Sequence, residues 1–95
     1  MNIPRLSRKE YLILELLING GEMFGLQLVG LKPGQLARGT VYVTLQRMSV
    51  KGFVTSRTVD DPAGGPARRM YRATGRGYRI YSAIHREAGA RASIQ

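Results

Sequence analysis

Residues 39–74 read GTVYVTLQRMSVKGFVTSRTVDDPAGGPARRMYRAT, and this stretch limits the possible folds more than any other part of the chain. Val41, Leu45 and Met48 recur at helical spacing, and Gly52 closes the run as a helix terminator. Phe53 to Val59 follows at once and is rich in β-branched and aromatic residues, so it reads as a strand, with Arg69 to Ala73 as its partner. Between them, Pro62, Gly64, Gly65 and Pro66 can belong to neither a helix nor an inner strand. A helix passed directly to a hairpin with a long tip is the pattern of a winged helix-turn-helix. The expected class is α+β, mainly helical: three helices, a two-stranded β-hairpin wing and one C-terminal helix.

The flanking segments fit that plan. Ser7-Arg8-Lys9-Glu10 has the capping-box spacing, with the Ser7 hydroxyl and the Glu10 carboxylate positioned to satisfy each other's backbone amides. Leu12, Ile13, Leu16 and Leu17 then supply the apolar stripe of a first helix, which Asn19-Gly20-Gly21 ends. A shorter helix is expected at about 23–29, with Phe24 and Leu28 on one side, Gly25 admitting a close neighbour and Gly30 as its stop. Lys32-Pro33-Gly34 marks a connector to the third helix. Thr74 is a suitable N-cap for the last helix, in which Tyr78, Tyr81, Ile84 and Ala88 are expected on one face. After Ala88 the pattern lapses, and a frayed end is expected.

Ninety-five residues make one small domain, expected over 1–95 with a core of about 7–88 and short flexible ends. At 43% hydrophobic residues the chain is too rich in core formers to be disordered. No apolar run reaches the roughly 18 to 20 residues needed to cross a bilayer, and there is no signal-peptide pattern, so a cytoplasmic location without membrane contact is expected. With no cysteine and a single histidine, His85, the chain offers no set of metal ligands, and no cofactor is expected. The same scarcity argues against an enzyme, since no nucleophile–base set forms around His85 and the six acidic residues are scattered. Gly64-Gly65 lacks the spacing and context of a phosphate-binding loop.

Charge is placed unevenly. Residues 1–37 carry four basic and three acidic side chains, whereas residues 38–95 carry eleven and three, so nearly all of the net +9 lies in the second half. Such a field attracts polyanions. Opposite its apolar arc, the third helix presents Val43, Gln46, Arg47 and Val50, flanked by Thr40 and Tyr42. A guanidinium, an amide, a hydroxyl, a phenol and an exposed valine together suit the edges of a DNA major groove, where Arg pairs with guanine, Gln with adenine and a methyl with thymine. Arg57 on one arm of the hairpin, and Arg68 with Arg69 on the other, set cations beside the tip, where a wing meets phosphates or the minor groove. Double-stranded DNA is therefore the expected partner. Backbone affinity is assigned to Arg38, Arg47, Lys51, Arg57, Arg68 and Arg69, and base reading to Thr40, Tyr42, Val43, Gln46 and Arg47.

The run GTVYVTLQRMSVKGFV followed by GGPARRMYRATGRGY resembles the winged-helix domain of PadR-type transcriptional regulators. The resemblance rests on Gly39-Thr40-Val41-Tyr42, Leu45 with Met48, Gly52-Phe53-Val54, Tyr71-Arg72-Ala73-Thr74-Gly75-Arg76-Gly77 and Phe24-Gly25, and it covers about residues 7–80. It implies a homodimeric repressor on an inverted repeat, with the helix over 39–51 in the major groove, the wing over 57–69 on flanking backbone, and Tyr42 near phosphates. Members of the family usually carry a further C-terminal helical portion for dimerisation. With one helix after the wing, dimerisation is expected to use the first and last helices, through Leu12, Tyr78, Tyr81 and Ile84. Some members bind flat aromatic effectors against a tryptophan; this sequence has none, and no small-molecule effector is expected. The competing readings are a winged-helix module that binds protein through Val43 and Val50, and an RNA-binding domain that uses the same basic face.

Overall fold

The computed structural model describes the backbone of residues 5–94 and the side chains of residues 5–87. Its elements run α1 (Arg8–Gly20), β1 (Met23–Phe24), α2 (Gly25–Leu31), α3 (Arg38–Val50), β2 (Val54–Val59), β3 (Arg68–Ala73) and α4 (Gly75–Ile94). The three strands form one antiparallel sheet in the order β1-β3-β2. The expected winged helix is therefore present, with one correction: the sheet has three strands, and Met23–Phe24 belongs to it, not to the second helix. Met23 pairs with Tyr71 and Phe24 with Met70. A two-residue strand has no periodicity to read. It exists because β3, nearly fifty residues away in the chain, supplies its hydrogen-bond partners.

The capping box forms as the Ser7/Glu10 spacing implied. The Glu10 amide donates to Ser7 Oγ at 3.1 Å, and the Ser7 amide donates to Glu10 Oε1 at 2.9 Å. The buried stripe of α1 is Glu10, Ile13, Leu14 and Leu17; Leu12 and Leu16 sit half-buried on its flank. That corrects the expected stripe by a fraction of a turn. The shift follows from α1 packing against α3, β3 and α4 together, which widens the arc it must bury. α2 begins where the Gln27 side chain accepts from the Phe24 amide at 2.8 Å, and it continues through Gly30 to Leu31.

α3 ends in a Schellman arrangement. Phe53 N–H donates to the Met48 carbonyl at 2.9 Å and Gly52 N–H to that of Ser49 at 3.1 Å, while Gly52 takes φ +80°. This turn sets the angle at which β2 leaves the helix. Thr74 then fastens α4 to the same corner: its hydroxyl donates to the Gly52 carbonyl at 2.6 Å and accepts from the Gly77 amide at 3.0 Å. Gly77 lies directly on the Phe53 carbonyl, where any Cβ would collide with backbone.

The core joins Ile13, Leu14 and Leu17 to Leu28, Val41, Leu45 and Met48, with Phe53, Val54 and Tyr71 closing it from the sheet. Leu36, which the connector reading left unassigned, is buried in it as well. α4 shows two departures. Its helical backbone runs on to Ile94, past the point at Ala88 where the apolar pattern lapses; the side chains after Glu87, and residues 1–4 and 95, where most of the expected frayed and flexible ends fall, lie outside the described residues. The inward arc of α4 is centred on Gly77 and Tyr81, which leaves Tyr78 exposed on the flank.

Candidate nucleic-acid interface

α3 turns Val41, Thr44, Leu45 and Met48 inward and leaves Tyr42, Val43, Gln46, Arg47 and Val50 exposed, with Thr40 half-buried at its start. Apolar side chains on this outer face are not minor: Val43 is 53% and Val50 79% exposed. The sequence assigned this face correctly because both arcs of a single helix follow from one period. Thr44 lies inside because its hydroxyl donates to the Thr40 carbonyl at 2.7 Å, which satisfies it within the helix.

Tyr42 is held in place. Its ring lies over Gly25, close enough that a Cβ there would come within 2.7 Å of it. The neighbour for which Gly25 makes room is thus a residue of the outward face. Burial raises the pKa of the Tyr71 hydroxyl, Arg69 opposes that rise and Tyr42 adds to it, so these three side chains share one neighbourhood.

The sheet register decides where the wing cations point. Ser56 pairs with Tyr71 and Thr58 with Arg69, so Arg69 lies on the helix-facing side with buried Tyr71 and Val54. Arg57, paired with Met70, and Arg68, paired with Val59, lie on the opposite side together with Arg72. Arg69 reaches Ser56 Oγ at 3.3 Å, whereas the Arg68 guanidinium stacks 5.5 Å from the centre of the Phe24 ring. At the tip, Asp61 Oδ1 accepts from the Ala63 amide at 2.9 Å and the Asp61 carbonyl from Gly64 N–H at 3.0 Å. That is turn chemistry, in which the carboxylate satisfies local backbone amides.

Two other cations are engaged inside the molecule. Lys51 Nζ lies 2.8 Å from Glu10 Oε2, joining the end of α3 to the start of α1. Burial of the Glu10 carboxyl works against its ionisation, but the Lys51 ammonium and the Ser7 amide and hydroxyl outweigh it and hold its pKa below the ordinary value. Arg57 forms a fork with Glu22, both N–O distances being 2.8 Å. This pairing lowers the Glu22 pKa and raises that of Arg57.

The sequence profile of the transcriptional regulator PadR-like family matches residues 13–83. The chain belongs to that family. Solved structures agree at the level of the fold. A PadR family regulator from Clostridium difficile superposes with a TM-score of 0.78 at 22% identity, covering 93% of this chain and 94% of that one. Another, from Eggerthella lenta, gives 0.74 at 20% identity over 88% and 74%. Bacillus subtilis PadR, solved in complex with operator DNA, gives 0.71 at 23% identity over 79% of this chain and 45% of its own. No curated protein matches the sequence significantly.

In this PadR-like chain the structure thus gathers Thr40, Tyr42, Val43, Gln46 and Arg47 on one exposed face, with Arg38 at the first position of the same helix and Arg69 on the same side of the sheet. Lys51, Arg57 and Arg68 are drawn into contacts within the protomer. Pairing partners such as Glu10 and Glu22 are distant in sequence, so no local pattern marks these cations as occupied. Of the residues expected at a subunit interface, Tyr78 is exposed, Leu12 and Ile84 are half-buried, and Tyr81 is buried. Tyr81 stacks between Tyr11 at 5.0 Å and His85 at 5.4 Å and donates to Glu15 at 3.2 Å, with burial raising its pKa. Tyr11 and His85 Nδ1 are hydrogen-bonded at 2.9 Å, which places the single histidine in a packing role.

Sequence reasoning missed Arg8 and Lys9. With Ser7 they face Gly39, Thr40, Val43, Thr44 and Arg47 across a groove of about 510 Å³. Among the described residues there is no cluster of potential metal ligands, and no helix is long and apolar enough to cross a membrane.

Proposed function

We propose that this chain is a sequence-specific regulator that binds duplex DNA through α3 in the major groove and represses transcription by occupying a promoter. The observation that carries this reading is the composition of the α3 outer face: hydrogen-bonding side chains beside exposed valine, on a helix whose tyrosine is braced by Gly25. A merely solvated face has no use for such a mixture, whereas base edges offer donors, acceptors and methyl groups side by side. The family membership and the operator complex of its Bacillus subtilis relative support the same reading.

Roles follow from position. Gln46 and Arg47 are the principal base readers, with Thr40, Tyr42 and Val43 at the edges of the footprint. Arg38 and Arg69 lead the phosphate contacts. Lys51, Arg57 and Arg68 contribute less than their charges suggest, because carboxylates or an aromatic face already engage them. The active species is a homodimer on an inverted repeat, formed through α1 and α4; on α4, Ile80, Ala83 and Ile84 line an open groove of about 440 Å³ with Phe53, Arg76, Arg79 and Glu87. Tyr78 stands on the other side of α4, where it borders a separate groove with Ile18 and Asn19 of α1, and Leu12 adds a half-buried flank of α1, whereas Tyr81 acts only by shaping the α1–α4 packing.

Selection of bound fragments from random duplex DNA at moderate salt tests the reading. Enrichment of an inverted repeat with half-sites about one helical turn apart is the expected result. Binding without enrichment, fading smoothly as salt rises, would leave only a non-specific basic surface and shift the assignment to RNA or a protein partner.

A further inference from the structure

Arg8 and Lys9 are placed where helix stability alone does not want them. They open the first turn of the 13-residue α1, the end at which aligned peptide dipoles present positive charge and cations are disfavoured. The one acidic residue in that turn, Glu10, is fully committed: one oxygen accepts from the Ser7 amide and the other meets Lys51. Among the described residues, neither Arg8 nor Lys9 has an ion-pair or hydrogen-bond partner. Both are exposed and both line the groove between α1 and α3, on the far side of which stand Val43 and Arg47. No carboxylate lines that groove. It is a cationic trough, continuous with the outer face of α3.

We propose that this trough seats the sugar–phosphate backbone of the DNA strand bordering the major groove that α3 enters, with Arg8 and Lys9 as phosphate ligands. The proposal rests on the DNA-binding reading and extends it to a second helix. A duplex that admits α3 must lay a phosphodiester strand along each side of it. On the α1 side that strand meets two uncompensated cations, and its charge relieves their repulsion with the helix end. Contacts of this kind fix register and add affinity but carry no base information. Arg8 and Lys9 thus position Gln46 and Arg47 without altering which bases they read.

The test uses the 95-residue chain, the selected duplex and the double variant Arg8→Gln/Lys9→Gln. Affinity is measured from about 50 to 200 mM salt, where each lost phosphate contact flattens the log–log slope by about 0.9. One lost contact corresponds to about five-fold weaker binding at about 0.15 M salt, and two to about thirty-fold. Three accompanying results are expected: an unchanged selected motif, a melting temperature no lower than that of the wild type, and a matched-charge variant, Arg72→Gln/Arg86→Gln, that keeps the wild-type slope. Duplexes with single neutral methylphosphonate linkages locate the contact: the linkage that weakens the wild type should cost the double variant nothing further.

A double variant that keeps the wild-type slope, while the wild type binds duplex DNA, would overturn this proposal alone. Equal losses from the Arg72/Arg86 variant would reduce the effect to bulk charge and also overturn it. A changed motif would make Arg8 or Lys9 a base reader instead. If the wild type shows no affinity for any duplex, the DNA-binding reading fails and this proposal fails with it.

Discussion

Gln46 and Arg47 are adjacent on α3, but chemistry divides their roles. An amide pairs with adenine through one donor and one acceptor, so its worth depends on the base; a guanidinium also attracts any phosphate within reach. Gln46→Ala is therefore expected to cost about 1–3 kcal/mol on the preferred site and almost nothing on scrambled duplex, as read by competition binding. Equal losses on both would remove Gln46 from the list of readers. Glu10 makes a different kind of prediction. Its pKa is held below the ordinary 4.5 in the folded chain, so its contribution to stability is complete at pH values above about 5 and is lost as pH falls through the folded value. Glu22 shifts in the same direction beside Arg57. Thermal melting against pH should show the wild type losing stability below about pH 4.5, and Glu10→Gln losing less over that window while starting lower at neutral pH. Parallel curves would refute the coupling of Glu10 to Lys51.

Among the elements, the junction of α3, β2 and α4 is the least forgiving. Gly52 turns the chain out of α3, Thr74 donates to its carbonyl, and Gly77 presses α4 onto the Phe53 carbonyl. A Cβ at Gly77 would meet the Phe53 carbonyl, backbone that cannot swing aside as the neighbouring Leu14 side chain could, so α4 must move as a body. Gly77→Ala is expected to destabilise the fold by at least 1–3 kcal/mol, the usual cost of overpacking. Chemical denaturation measures it, and a shift of less than about 0.5 kcal/mol would mean that α4 docks more loosely than described. At the other end of α3, Gly25 seats the Tyr42 ring, so α2 acts as a brace for the outward face.

At the scale of the whole molecule, an excess of positive charge matters less than the side on which each charge emerges. Strand alternation sends Arg68 and Arg69 to opposite faces of the sheet, although they are neighbours in sequence. Arg69 shares the side of Tyr71 and Tyr42, while Arg68 lies over Phe24 on the outer surface. Counted as two phosphate contacts, a change at both positions would flatten the salt slope by up to about two; the fold divides that effect unequally. Arg69→Gln alone should flatten the slope by about 0.9, and Arg68→Gln by clearly less. Salt titration of the two single variants decides it, and equal slopes would show that the wing twists enough to present both.

The sequence alone determined whatever depends on local periodicity and on chain chemistry within a few residues. The two arcs of α3, the Ser7/Glu10 capping box, the glycine exit at Gly52 and the hairpin with its proline- and glycine-rich tip were all legible, because each is a consequence of spacing within one helix or one turn. Tertiary structure alone decided what depends on partners far along the chain. Met23–Phe24 became a strand because β3 lay beside it; Leu14 replaced Leu12 in the core because three elements converge on α1; and Tyr81 went inside between Tyr11 and His85. The availability of each cation belongs to the same class. A sequence counts charges, but Lys51 finding Glu10 across 41 positions, Arg57 finding Glu22 across 35, and Arg8 with Lys9 finding no carboxylate are outcomes of how the helices pack.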